Sequence, residues 1–479
     1  MMDHALKKHS TYSSNHFLPQ VAQAFRDGDI WVKLSALICG SSCFARKQYI
    51  KGFLITLVQA VLLWAIPCVF WPYMSKLGTL GTVQAQKTFN PVTMKNEWND
   101  YDNSFMILLF GLIGILVTIT AVVLWLRNIR NARDVQVLAT SGKHVNTFRD
   151  DLADCFNTKF HRTLLSLPVL GVVMFTILPL IVMICIAFTN YDRNHLVPAN
   201  LFTWTGLSNF KALFDMSANG AFGYAFLKVL SWTLVWAVLA TLTCYFGGIL
   251  LAMFINNKNT KCKKLWRTLF MIAIAVPQFV SLLLVRNFFH DQGIVNTICA
   301  NIGLTGWLKS IGAIQTNYIP FLTDARWAKP MILLINMWVG IPYQMLIAYG
   351  VLLNIPTDIL ESAKIDGANA WQSFKSITMP YILFVTGPSL VNSLVANINN
   401  FNVIYLLTQD VYTSTDQMMA SANAKEVDLL VTWLYRLTQE QSNYKMASVI
   451  GILVFIVCSI LTLLAFNQLI KGDKEATFQ

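Results

Sequence analysis

The chain has 479 residues, is 55% hydrophobic and only 13% charged, and carries a net charge of +12 with a mean hydropathy of +0.52. Soluble domains carry about a quarter charged residues, so this composition excludes an ordinary soluble protein. The apolar runs are continuous rather than alternating, which excludes a transmembrane β-barrel, and no aromatic–basic motif accompanies the positive charge, which argues against nucleic acid.

Taken in chain order, the apolar runs predict an all-α polytopic membrane protein with about eight transmembrane helices, at 52–73, 105–126, 164–188, 227–255, 268–289, 331–353, 381–407 and 446–470. Each is near the roughly 20 residues that cross a bilayer as a helix. Residues 1–51 form a mixed, weakly amphipathic region before the first run. That run is longer than a signal-peptide core, so it is expected to stay as an anchor. It contains Pro67 and Pro72 and ends in Phe70, Trp71 and Tyr73, aromatics suited to the membrane interface. Three helices over 52–188 enclose a charged loop at 127–163, and 189–226 is a short connecting segment. A core of five further helices spans 227–470, and 471–479 is a polar tail.

Charge placement orients this array. With the N-terminus inside, the inner segments hold 23 Lys and Arg and the outer segments 12. Positive charge concentrates on the cytoplasmic side of membrane proteins, so both termini are expected in the cytoplasm of a cell (cytoplasmic) membrane protein. Of the nine cysteines, only Cys299 is expected outside. Cys39 and Cys43 lack a second pair to complete a zinc site, and the seven histidines show no metal-binding spacing. Pro277 and Gln278 are expected to kink the fifth helix, and Arg286 to snorkel to the interface.

Two features of the core carry chemistry. Asn336, Gly340 and Tyr343 lie at i, i+4, i+7 in the sixth helix, and Ser393, Asn397 and Asn400 repeat that spacing in the seventh. Each set falls on one helix face. Such uncharged faces could line a wet cavity for a neutral, hydroxyl-rich solute, with Tyr343 as a flat platform. The same residues also serve as interhelical glue. The second feature is the polar stretch 358–380 between those helices. Asp358 is expected as the N-cap of a short helix with Glu361 completing a capping box. Gly367 is expected in the left-handed conformation that ends it. A second short helix carrying Trp371, Phe374 and Ile377 or Thr378 at helical spacing is expected to stop at Pro380. Such a hairpin suits docking into a partner's groove, or resting among lipid headgroups.

Here a resemblance enters. Glu361, Ala363, Asp366, Gly367, Ala368, Phe374, Ile377 and Pro380 resemble the "EAA" motif of bacterial ABC importer permeases, with Ser362 in place of the usual alanine. Trp204 to Phe210, Asn336 to Gln344 and Asn399 to Leu407 are similar to segments of the maltose/maltodextrin branch of that family. The resemblance implies a type I permease core over 227–470, with 358–380 as a coupling helix that docks on an ATPase. It implies that Asn336, Gly340, Tyr343, Ser393, Asn397 and Asn400 line the sugar site. Ala396 stands where the family usually has an aromatic residue. A long external insert of the best-known members is replaced by about 36 residues after the third helix.

It further implies, as partners, a second related permease, two ATPase subunits and an external sugar-binding protein, besides the membrane lipid. ATP and magnesium would be used by the ATPase subunits. The nearest approach to a Walker A motif in this chain, Ser141-Gly142-Lys143, lacks the upstream glycine and the following Ser or Thr, and no catalytic constellation stands out. The expected function is import of maltose or maltodextrin. The alternatives are import of another neutral sugar or a glycerol phosphate. A stand-alone secondary transporter needs an intramembrane acid or histidine relay, which the core helices lack, and a polytopic membrane enzyme needs catalytic residues that do not converge here.

Overall fold

The computed structural model describes residues 16–91, 94–215, 217, 220–257, 259–409 and 416–476, with side chains except at 90, 273 and 468–476. Of the expected terminal regions, residues 1–15 and 477–479 lie outside the described residues. The chain divides into two units, Met1–Thr205 and Gly206–Gln479.

The first unit begins with three short helices, α1 (Phe17–Asp27), α2 (Ile30–Leu34) and α3 (Ser41–Ala45). Two long helices follow, α4 (Tyr49–Met74) and α5 (Ser104–Thr140), with the hairpin β1 (Lys87–Asn90) and β2 (Lys95–Trp98) between them. The short helix α6 (Phe148–Phe156) and the long helix α7 (Phe160–Ile186) complete the unit. Val21 and Ala24 of α1 are buried with Ile129 of α5, so the N-terminal segment is anchored on the polar end of that helix. Helix α5 runs well past the expected end at 126, to Thr140, and α6 and the start of α7 also lie in the stretch expected as a loop at 127–163, so most of it is helix.

The second unit holds α8 (Ser208–Phe214), α9 (Ala221–Asn256), α10 (Lys263–Ala275), α11 (Gln278–Phe289), α12 (Ile294–Asn301) and α13 (Leu304–Ser310). It continues with α14 (Ala325–Leu353), α15 (Thr357–Ile365), α16 (370–398) and α17 (Phe401–Leu407). The last three helices are α18 (Gln417–Ser421), α19 (Leu430–Gln439) and α20 (Tyr444–Ala476). One apolar cluster gathers Trp236, Leu282, Ile332, Ile335, Val403 and Leu407; a second gathers Tyr245, Ile249, Met345, Ala348 and Ile382. Both lie where α14 packs along α9. Gly247 and Gly248 permit that approach: a Cβ on Gly248 would stand 2.5 Å from the Gln344 Cβ.

Among the described residues seven helices, not eight, are long and apolar enough to cross a membrane. The run at 268–289 is two short helices, because Val276 is extended (ψ 129°) before Pro277. The proline ring disfavours helical backbone in the residue before it and so separates α10 from α11.

Three prolines act differently. Pro72, Pro179 and Pro380 each directly follow the residue that closes a π-helical turn, where Trp71, Leu178 and Met379 donate to Ile66, Val173 and Phe374, five residues back. Proline lacks an N–H and crowds the preceding turn, and the wider turn accommodates it without ending the helix. The expected break at Pro380 is therefore corrected: α16 runs through it.

Candidate functional site

The polar stretch after α14 is a built motif. Pro356, at φ −56° and ψ 129°, is the N-cap of α15, two residues ahead of the expected Asp358. The expected capping box of Asp358 and Glu361 is absent, because the fixed proline backbone starts the helix at Thr357 and puts Asp358 inside its first turn. The other end of α15 matches expectation in detail. Gly367 has φ +82° and donates to the Lys364 carbonyl at 3.1 Å, while Ala368 donates to the Ala363 carbonyl at 2.9 Å. These paired bonds are a Schellman ending, which requires the left-handed residue that glycine supplies without strain.

The chain then restarts at once. Asn369 accepts from the Gln372 N–H at 2.9 Å, and the Gln372 side chain accepts from the Asn369 N–H at 2.8 Å. This reciprocal cap opens α16 and was not foreseen, although an Asn with a Gln three residues on is its sequence signature.

The motif has two faces. Phe374 is half-buried against the Tyr245–Ile382 cluster, and Ala363 and Ala368 are half-buried. Glu361, Asp366, Gly367, Pro380 and Trp371 are exposed, and Ile365 is 86% exposed. An isoleucine and a tryptophan in solvent on an otherwise polar hairpin form a surface ready to be covered.

Three of the six positions, Asn336, Gly340 and Asn397, meet α9. Asn336 is 6% exposed; its amide donates to the Cys244 Sγ at 3.5 Å, and a Cβ on Gly340 would stand 2.6 Å from that sulfur. One turn earlier on α9, the Thr241 hydroxyl accepts from Asn397 at 3.0 Å. Ser393 accepts from Gln344 of α14 at 3.1 Å. Asn397 in turn accepts from Asn400 at 3.3 Å.

Asn400 does not continue the helical face of Ser393 and Asn397. Helix α16 ends at Ile398, and Asn400 caps α17 by accepting from the Val403 N–H at 3.2 Å. Asparagine competes with the helical backbone for its own hydrogen bonds, so the pair Asn399-Asn400 favours a break. Tyr343 stands apart from the others at 55% exposure. Thr241, Cys244 and Gln344 complete the seam and were missed; each is a polar or small residue at membrane depth, which was the available signal.

Outside the seam, the fifth-helix break borders a cavity of about 160 Å³ walled by Pro277, Gln278, Ser281 and Trp338. The Arg286 guanidinium is not a bare interface charge, since it donates to the Gln409 side-chain oxygen at 2.5 Å. The segment 416–443 folds into a cap. There the Arg436 guanidinium meets the Asp428 carboxylate at 2.7 Å, with Asp428 1% exposed. Burial pushes the Asp428 carboxyl above the usual carboxylate range, against the pull of Arg436. Trp232 of α9 donates to the Val427 carbonyl at 3.2 Å, and the Thr233 hydroxyl accepts from the Leu430 N–H at 3.1 Å, pinning the cap to α9. No cluster of three metal-ligating side chains occurs among the described residues.

The comparisons with known proteins agree with this architecture. The family profile "Binding-protein-dependent transport system inner membrane component" matches residues 244–472. The maltodextrin transport system permease protein MalC of Streptococcus pneumoniae is 32% identical over 445 residues, covering 92% of this chain and 96% of that protein. The galactooligosaccharides transport system permease protein GanP of Bacillus subtilis is 30% identical over 450 residues, covering 92% and 98%. A bacterial ABC transporter involved in the import of alginate shares the fold, with a TM-score of 0.51 at 23% identity over 67% of this chain and 98% of that one.

Proposed function

The chain belongs to the family of binding-protein-dependent transport system inner membrane components, and from that premise we propose that it is the permease subunit of an ATP-driven importer of maltodextrin-type oligosaccharides. It is a transport subunit, and ATP hydrolysis belongs to a separate subunit of the ABC transporter.

The observation that carries the reading is the mechanical continuity of α16 from its exposed start beside Gly367 through Pro380. The second arm of the exposed hairpin around Gly367 continues, without a helix break, as the helix that bears Ser393 and Asn397. A partner ATPase that covers Ile365 and Trp371 can move one end of a rigid lever whose other end holds the polar seam. ATP and magnesium act in two such ATPase subunits, with a second permease completing the pathway and an external binding protein delivering sugar. The charge distribution supports placing both termini and the Gly367 hairpin in the cytoplasm.

In this mechanism ATP binding and hydrolysis bias two arrangements of the seam, one open to each side. The seam keeps some hydrogen-bonding capacity for a solute: the Ser393 hydroxyl accepts from Gln344 and has its own proton to donate. Asn336, Gly340, Tyr343, Ser393, Asn397 and Asn400 are the proposed sugar-facing set. Neutral side chains at these positions match a neutral solute.

A galactooligosaccharide is the second reading, favoured by the similarity to GanP. Uptake of labelled maltotriose and of galactan oligosaccharides by the assembled transporter separates the two. Maltotriose uptake that Asn397→Ala abolishes is the expected result. Transport of neither sugar, with the complex intact, would overturn the assignment.

A further inference from the structure

The first unit contains a groove that the transport reading does not use. It lies between α4 and α5, has a volume of about 820 Å³, and is walled on the α4 side by Leu54, Val58 and Leu62 and on the α5 side by Thr118, Val122 and Trp125. From Leu54 to Ile66 along α4 the wall extends about 18 Å at 1.5 Å per residue. That is a little more than half of the roughly 30 Å hydrocarbon core, about the depth of one leaflet.

The polar end is closed by the segment between α2 and α3. The Gln59 side chain accepts from the Cys39 N–H at 2.8 Å and donates to the Leu37 carbonyl at 2.7 Å. From the opposite wall, the Trp125 indole donates to the Ala36 carbonyl at 2.8 Å. The segment is thus tied to both helices and forms a floor. Arg127 and Asn131 line this end, four residues apart on one face of α5, and both are exposed.

Neighbouring cations are committed: Arg46 pairs with Asp29 at 2.8 Å and Lys51 with Asp151 at 2.6 Å. Arg127 forms no ion pair among the described residues. An apolar slot one leaflet long, ending at a guanidinium with an amide beside it, matches an acyl chain joined to a phosphate.

We propose that this groove holds one anionic phospholipid, its acyl chain between α4 and α5 and its phosphate at Arg127 and Asn131. In the topology proposed above the lipid comes from the inner leaflet. A helix of another subunit is the competing occupant. Close helix packing in membranes uses small residues at the seam, whereas the α4 wall presents Leu54, Ile55, Val58, Leu62, Leu63 and Ile66. The lipid would fasten the N-terminal segment and the first two spans into one body.

The test uses the assembled transporter in nanodiscs containing a tail-diazirine phosphatidylglycerol or the matching phosphatidylcholine. After photolysis, peptide mapping is expected to place phosphatidylglycerol adducts within 54–66 and 118–125, at least fivefold above phosphatidylcholine. Arg127→Gln should remove that preference, and Val58→Trp, which fills the slot, should remove the adducts while leaving labelling elsewhere unchanged. Equal labelling by both lipids, or no effect of either substitution, would overturn the proposal. So would a benzophenone side chain at 58 that crosslinks to another subunit rather than to lipid. None of these readouts depends on which sugar is transported.

Discussion

Asn397 on α16 and Thr241 on α9, 156 positions apart in sequence, are joined by a 3.0 Å hydrogen bond from amide to hydroxyl. The Thr241 helix also receives Asn336 and the Gly340 notch at Cys244. Helix α9 is therefore the common surface on which the two polar faces meet. Any movement that α16 receives from the Gly367 hairpin must keep, exchange or break these bonds. Each is worth about 1 kcal/mol net, small enough for an ATP-driven cycle to rearrange.

Tyr343→Ala is expected to reduce sugar uptake by about tenfold while changing stability by under about 0.5 kcal/mol, because the ring is 55% exposed and has little packing to lose. Asn336→Ala should behave oppositely, with a lower melting temperature from the loss of a buried contact to Cys244. Uptake and thermal unfolding of the same two variants provide the check. Equal loss of stability in both would return Tyr343 to a packing role.

At Gly367, with φ +82°, an alanine is expected to strain the hairpin by about 1–2 kcal/mol, while Gly367→Asn is tolerated because asparagine visits the left-handed region readily. Gly367→Asp adds charge to the proposed docking face and should abolish co-purification of the ATPase. The order Gly, Asn, Ala, Asp in uptake is the expected result; an alanine variant that couples like wild type would argue against the Schellman ending as the coupling geometry.

Arg436→Met leaves the Asp428 carboxylate buried without its cation, a change expected to cost about 3–5 kcal/mol. Burial raises the Asp428 carboxyl, and in the variant only Lys425 and the Thr432 hydroxyl still oppose that rise. A raised acid binds its proton more tightly in the folded state. The variant's stability should therefore be greatest below the ordinary carboxylate value of about 4 and decline as pH rises through the raised one. Melting temperatures across pH for Arg436→Met, with Asp428→Asn added to remove the charge, test the sign. A deficit independent of pH would mean that the carboxylate is not its source.

Asp102 titrates in the other direction. Burial works against its ionisation, yet Lys76 at 2.6 Å and the N–H groups of Thr82 and Val83 at 2.9 and 3.2 Å hold its carboxyl below the usual range. The stability it contributes is present above the ordinary carboxylate value and is lost as pH falls through the lowered one. Amide exchange at Thr82 and Val83 should accelerate in Asp102→Asn at neutral pH, and in the wild type only on strong acidification. Unchanged exchange in the variant would show that the loop is held by other contacts.

Seven of the eight membrane-spanning runs and the left-handed glycine at 367 were legible in the sequence because each depends on local physics. Apolar length and the absence of a Cβ act within a few residues. The polar positions were legible as a list for the same reason, since a period of 3.6 puts Ser393 and Asn397 on one face wherever the helix sits. Their partners were not, because periodicity specifies a face and not the helix that covers it. Only packing decided that Asn397 meets Thr241, that Asn336 meets Cys244, and that Gln344 holds Ser393. Tertiary context also decided how each proline was absorbed. Pro277 ends a helix, whereas Pro380 sits behind a widened turn and lets α16 run on as one lever. A missing N–H and a crowded preceding turn are common to both, so these local facts alone do not separate the break at Pro277 from the π turn before Pro380.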